Sequence, residues 1–203
     1  MTNYFSIGLT YQMSRKEFLN ILDKYENNVK EVYFSLPIGD KYHTRRSIVK
    51  NLSPNKTSFY DFVSFLKEIK NRKKELCLAL NTHMIDEKDA FTAIEKIKDE
   101  VEINSIVTFN RFAENINKNY PEIKLALSIH EGITNFSDAD KINPSISTVV
   151  IGNSEIRNLP LIKYIKGKGL NIKHLLNTGC NCIDFCFNFG KRCIIFRHSI
   201  GDL

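Results

Sequence analysis

The chain has 203 residues, 42% of them hydrophobic and 26% charged, with a net charge of +6 and a sequence pI near 9.0. That length holds one sizeable core and crowds two, so a single domain over 1–203 is expected. No apolar run approaches bilayer-spanning length, and residues 1–18 alternate apolar with polar side chains where a leader would be continuously apolar, so the expectation is a soluble, cytoplasmic protein.

In chain order, short β-rich apolar runs alternate with segments of helical period, the pattern of βαβ units feeding a parallel sheet. The strand runs are 4–9, 31–36, 76–81, 105–109, 124–129, 148–151 and 172–177. Between them, Ser14 and Glu17 form a capping box ahead of Phe18, Leu19 and Leu22. A helix runs through Phe62, Phe65, Leu66 and Ile69. The lysines are scattered along helical faces, as in Lys67, Lys70, Lys73 and Lys74, and read as solvated helix surface. Asp86, Glu87 and Asp89 load another helix start with negative charge. A later helix begins near Asn158 with Pro160 in its first turn, where a missing N–H is harmless. Gly167, Lys168 and Gly169 then sit where a helix stops.

Seven strands with intervening helices point to an α/β fold, a (β/α) TIM-like barrel ahead of an open doubly wound sheet, with strand order not readable from one sequence. After the seventh strand only 26 residues remain to hold a cysteine-rich segment, a candidate eighth strand at 193–197 and the terminus. A complete barrel usually takes about 250 residues, so the barrel is expected to be shortened or incomplete at its C-terminal end. Apolar surface left uncovered makes a homo-oligomer or a partner subunit the expectation.

Sites on such folds form at the C-terminal ends of the strands. The polar residues expected there are Lys41, His43 and Arg45, then Asn81 and His83, then Asn110 and Arg111. They continue with Ser128, His130 and Glu131, then Asn153, Glu155 and Arg157, then Asn177, and His198 after the candidate eighth strand. His174 falls inside a strand. His83, His130 and Glu131 are the catalytic candidates, since imidazole titrates near neutral pH and a carboxylate beside it completes an acid/base pair. Arg45 and Arg157 suit an anionic group because a guanidinium fork matches carboxylate or phosphate. Asn81, Asn110, Asn153, Asn177 and His198 complete the expected substrate contacts. The net positive charge is compatible with an anionic small molecule, a peptide or RNA, and one compact basic group, Lys41 to Arg46, contains an aromatic, Tyr42.

Four of the five cysteines, Cys180, Cys182, Cys186 and Cys193, fall within fourteen residues. In a reducing compartment such a cluster points to metal binding or catalysis ahead of disulfides. The spacing C-x-C-x3-C-x6-C has no C-x-x-C knuckle, which puts structural zinc second. Four thiolates on loops suit a [4Fe–4S] cluster. The radical-generating pattern C-x3-C-x2-C fails, because Phe189 stands at its third cysteine. Unligated thiols among Phe185, Phe187, Phe189 and Phe196 remain the structural alternative. Cys77, inside a strand, reads as core. No phosphate-cradling glycine loop, G-x-S-x-G elbow or H-E-x-x-H pair is present.

Several stretches resemble the collagenase-like peptidase family U-thirty-two: Glu31-Val32-Tyr33-Phe34 with Arg45-Arg46-Ser47, Ser105-Ile106-Val107-Thr108, residues 124–128, Val149-Val150-Ile151-Gly152 leading to Arg157, and Leu175-Leu176-Asn177-Thr178-Gly179-Cys180. Asn177-x-Gly179-Cys180, with further cysteines and Arg197-His198 after it, is similar to that family's N-x-G-C, C, H signature. The resemblance implies a (β/α) barrel roofed, in several branches, by a cysteine-bound iron–sulfur cluster. Those branches perform oxygen-independent hydroxylation of ubiquinone precursors or RNA bases. Three readings follow: an iron–sulfur enzyme or enzyme subunit, a peptide hydrolase working near His130 and Glu131, and a non-catalytic partner or scaffold with a zinc staple.

Overall fold

The computed structural model describes residues 4–9, 14–38, 41–42, 59–81, 85–152 and 155–174. Each of the seven expected strands is present: β1 (Phe5–Gly8), β2 (Val29–Phe34), β5 (Glu75–Ala79), β6 (Ser105–Thr108), β7 (Lys124–Leu127), β8 (Ile146–Ile151) and β9 (Asn171–His174). Their order in the sheet is their order in the chain. β1 pairs with β2, β2 with β5, β5 with β6 and β8 with β9, all in parallel. A two-stranded antiparallel piece, β3 (Pro37–Ile38) with β4 (Lys41–Tyr42), is too short to announce itself by periodicity. The chain gathers into two compact units, Met1–Ala126 and Leu127–Leu203, which part within β7.

Among the described residues of the first unit, the helices between strands are α1 (Arg15–Lys24), α2 (Phe59–Asn71), α3 (Glu87–Lys98) and α4 (Asn110–Asn119). The Ser14 capping box is complete, with the Ser14 hydroxyl accepting from Glu17 N and the Glu17 carboxylate accepting from Ser14 N at 2.8 Å. Asp86 caps α3 in the same way, accepting from Asp89 N at 2.8 Å. Both caps satisfy amides that a helix start leaves without partners.

The sheet's two faces differ in chemistry. Val32, Phe34, Leu76, Leu78, Leu80 and Ile106 are fully buried, and Phe34 meets Phe62 of α2 with ring centroids 5.9 Å apart, so this is the helix-packed face. Leu22, Leu66 and Ile69 complete that core, each worth about 2 kcal/mol of buried apolar surface. Residues of the opposite alternation include Glu31, Tyr33, Ser35, Cys77 and Ser105. There the Ser105 hydroxyl donates to the Glu31 carboxylate at 3.0 Å, both side chains being buried.

The lysine surface expected to be solvated is only partly so. Lys67 and Lys70 extend to Glu100 and Glu102 at 3.6 and 3.0 Å. Lys73 lies past the helix end in a left-handed turn, φ 58°. Lys74 is buried and donates to the Glu26 carbonyl at 2.5 Å, its aliphatic stem covering apolar surface.

The second unit carries β8 and β9, paired from Thr148–Asn171 to Ile151–His174. His174 therefore belongs to a strand, as expected. α5 (Phe136–Asp140) is a five-residue helix closed by an Asn135–Asp138 capping box. α6 (Leu159–Gly167) begins at Asn158, carries Pro160 in its first turn, buries Leu161 and Ile165, and ends before Gly169, whose φ of 79° suits a glycine.

Candidate functional site

The expected site residues can be placed strand end by strand end. Asn81 lies two residues beyond β5. The Leu80 amide donates to the Val107 carbonyl at 2.8 Å, and continuing the Ala79–Val107 pairing by two residues puts Asn81 level with Phe109, the N-cap residue of α4. The Asn81 Oδ1 is buried and accepts no hydrogen bond from the described residues. Leaving a buried acceptor unsatisfied costs about 1–3 kcal/mol, which a protein seldom tolerates without a use for it. The Thr108 hydroxyl, fully buried at the end of β6, is likewise without a partner among the described residues.

One residue joins β6 to α4, so Asn110 opens the helix directly at the strand's C-terminal end, half-buried. Phe109 contributes no side-chain cap, and the first turn of α4 holds no acidic residue. Arg111, expected at the polar end of this strand, is engaged structurally: its Nη2 donates to the Ile85 carbonyl at 3.2 Å, and its guanidinium lies 5.1 and 4.6 Å from the Phe109 and Phe112 ring centroids.

In the second unit, β7 gives way to a 3₁₀ turn, Ile129–Glu131. Ser128 is buried and starts the turn by accepting from His130 N at 3.1 Å, and Gly132 closes it in the left-handed region at φ 63°. His130 and Glu131 are both half-buried, held by backbone that the Ser128 cap fixes, and the His130 Nδ1 is buried. After β8, Glu155 Oε2 accepts from Gly152 N at 3.0 Å and so shapes a second 3₁₀ turn, Glu155–Arg157, that ends in the exposed Arg157.

Arg45, His83, Asn153, Asn177, His198 and the four cysteines Cys180, Cys182, Cys186 and Cys193 lie outside the described residues. Cys77 is buried in β5, as core. Among the described residues no three His, Cys, Asp or Glu side chains gather as a metal site would require. No described helix is long and apolar enough to cross a membrane.

Sequence reasoning placed Asn81 at a strand end but missed the property that distinguishes it, the unsatisfied acceptor. That property depends on what packs around the amide, which no residue pattern records. The Asn135-x-x-Asp138 box was legible and would have located α5.

No family model matches the chain, and no curated protein matches it. Among solved structures the chain is similar to a glycerophosphodiester phosphodiesterase from Agrobacterium tumefaciens str. C58, at a TM-score of 0.52 and 12% identity, over 86% of this chain and 85% of that one. It is also similar to an uncharacterized conserved protein from Geobacillus kaustophilus, at a TM-score of 0.46 and 10% identity, over 84% and 89% of the two chains. The first likeness bears on fold alone, and with the parallel strands in chain order it identifies an α/β chain of the (β/α) TIM-like barrel type.

Proposed function

We propose that the chain is an enzyme, or a subunit of one, that modifies a substrate bound at the C-terminal ends of its strands, and that Cys180, Cys182, Cys186 and Cys193 hold an iron–sulfur cluster. The observation that carries the substrate site is the buried, unsatisfied Oδ1 of Asn81 beside the α4 N-terminus. A carbonyl oxygen kept without a donor is matched by a ligand that brings an N–H or O–H group. Asn110 supplies a second amide at the same strand end of the first unit. The second unit has strand-end groups of its own: His130 and Glu131, held by the Ser128-capped turn, suit proton transfer, and Arg157 suits an anionic group.

The cluster rests on the cysteine composition and on the resemblance to the collagenase-like peptidase family U-thirty-two. A bound cluster would supply electron transfer; the residues described above bind, orient and protonate. Peptide hydrolysis at His130 and Glu131 and a scaffold role with zinc are the competing readings, and the scaffold role gives the unsatisfied Asn81 no use.

A thermal-shift screen of small hydroxylated, amide-bearing and peptide ligands tests the substrate site. The proposal expects ligands that raise the melting temperature of the native chain and lose the effect in Asn81→Leu. Ligands that stabilise both proteins equally would place binding elsewhere.

A further inference from the structure

Away from the strand ends, the outer surface of the first unit has an open groove of about 430 Å³ lined by Arg15, Lys16, Leu19 and Asn20 of α1 and by Arg72, just past the end of α2. The four α1 positions, spaced by one and four residues, lie along one side of that helix. Among the described residues, three of the lining side chains are cationic and none is acidic.

Two of the cations are held from outside the groove. Arg15 Nε donates to Glu68 Oε2 at 3.2 Å, its Nη2 donates to Glu68 Oε1 and to Ser64 Oγ, and its guanidinium lies 5.4 Å from the Phe65 ring centroid. Arg72 grips Asp23 through Nε and Nη2 at 2.7 and 3.2 Å, and its Nη1 donates to the Glu68 carbonyl at 3.2 Å. A guanidinium carries five N–H donors, so these contacts leave both on Arg15 Nη1 and one on each Arg72 Nη uncommitted among the described residues. Exposed ion pairs add little to stability, and what these supply is two guanidinium groups already fixed in place. Lys16 and Asn20 take no part in them. Three cations against Glu68 and Asp23 leave one positive charge in excess beside the groove.

We propose that this groove binds a small organic bisphosphate, one phosphate meeting Arg15 and Lys16, the other meeting Arg72, and the carbon skeleton between them crossing Leu19 within reach of the Asn20 amide. The volume is that of a small-molecule site. The anchors of the two guanidinium groups are four residues apart on α2, at Glu68 and Arg72, and eight apart on α1, at Arg15 and Asp23, or about 6 and about 12 Å along the helix axes. Two anionic groups on one skeleton span that interval, whereas a lone phosphate reaches one end of it. Phosphate fits the Arg15 end because its several oxygens accept from a guanidinium and an ammonium together. The site stands apart from the strand-end substrate site and uses none of its residues.

Isothermal titration calorimetry of the full chain at low salt, with fructose 1,6-bisphosphate as the probe beside fructose 6-phosphate and inorganic phosphate, measures the binding. The expected result is one bisphosphate per chain, held at least about tenfold more tightly than either monophosphate because the second phosphate binds intramolecularly. Affinity should fall as salt rises. Lys16→Gln should weaken the bisphosphate by about threefold or more. The double variant Asp23→Asn/Arg72→Gln removes an ion pair whole, leaves neither charge orphaned, and should weaken it by about tenfold. Lys16→Arg should bind as the native chain does. Circular dichroism and melting temperature of Lys16→Gln should match the native chain, which separates lost binding from lost fold. No binding of the bisphosphate, affinity equal to that of fructose 6-phosphate, or binding that either loss variant leaves unchanged overturns the proposal. Binding kept in Lys16→Gln and lost in Asn81→Leu also overturns it, by moving the ligand to the strand ends.

Discussion

Gly8 and Tyr33 face one another across the β1–β2 pair, and a Cβ on Gly8 would fall 2.5 Å from the Tyr33 ring carbons. The ring occupies the space that any other residue at position 8 would need. Gly8→Ala should therefore destabilise the chain by about 1–3 kcal/mol through overpacking. In a Tyr33→Ala background the same substitution should cost close to nothing, a coupling that a double-mutant cycle by chemical denaturation reads directly. Equal costs in both backgrounds would show that the glycine is there for another reason.

The buried hydrogen bond from Ser105 to Glu31 joins the starts of β2 and β6 on the polar face of the sheet. Ser105→Ala removes the donor and leaves the carboxylate short of one partner. The expected cost is about 1–2 kcal/mol, more than a surface serine would show. Equilibrium urea unfolding of the two proteins checks it, with an unchanged m-value as the sign that only stability moved.

Acid should loosen α5 first at its cap. The backbone amide of Thr134, its hydroxyl and the amide of Asn135 all donate to Asp138 and hold its carboxyl below the usual aspartate value. A lowered folded-state pKa means that the stabilisation is complete above the unfolded value of about 3.9 and is lost as pH falls through the folded one. An NMR titration should find Asp138 ionising below ordinary aspartates, with the Thr134 and Asn135 amides losing exchange protection over the same range. In Asp138→Asn that protection should no longer depend on acid, and titration of Asp138 at the ordinary value would refute the argument.

Much of the fold was legible in the sequence because strands and helices announce themselves by period and by caps. Ser14 with Glu17, Asp86, and Asn158 with Pro160 mark helix starts where the structure has them. Boundaries were less legible, since they depend on partners. The fifth run was expected to reach Ile129, but Ser128 turns the chain into a 3₁₀ helix after Leu127. α5 is too short to show a helical period, and β3 with β4 too short to show alternation. At the candidate site, residue type located Asn81, Asn110, His130, Glu131 and Arg157 at strand ends. Which of them lacks a partner, and that Arg111 is held by Ile85 and two phenylalanine rings, are properties of packing.

If Asn81 is kept for a ligand, it is kept at a cost to stability. Asn81→Leu removes the unsatisfied acceptor and fills similar volume, so it should stabilise the free chain by about 1 kcal/mol. Such a gain with ligand binding lost is the signature of a residue retained for function. Differential scanning calorimetry of the two proteins without ligand reads the stability half of that statement. A loss of stability would show that the amide already has its partners.

The central claim is tested most directly by the iron and acid-labile sulfide content of anaerobically purified protein, measured beside that of Cys180→Ala. The account predicts about four irons and four sulfides per native chain, as a [4Fe–4S] cluster requires, and their loss in the variant with circular dichroism otherwise retained. A chain free of iron and sulfide, or one holding zinc in their place, would contradict it.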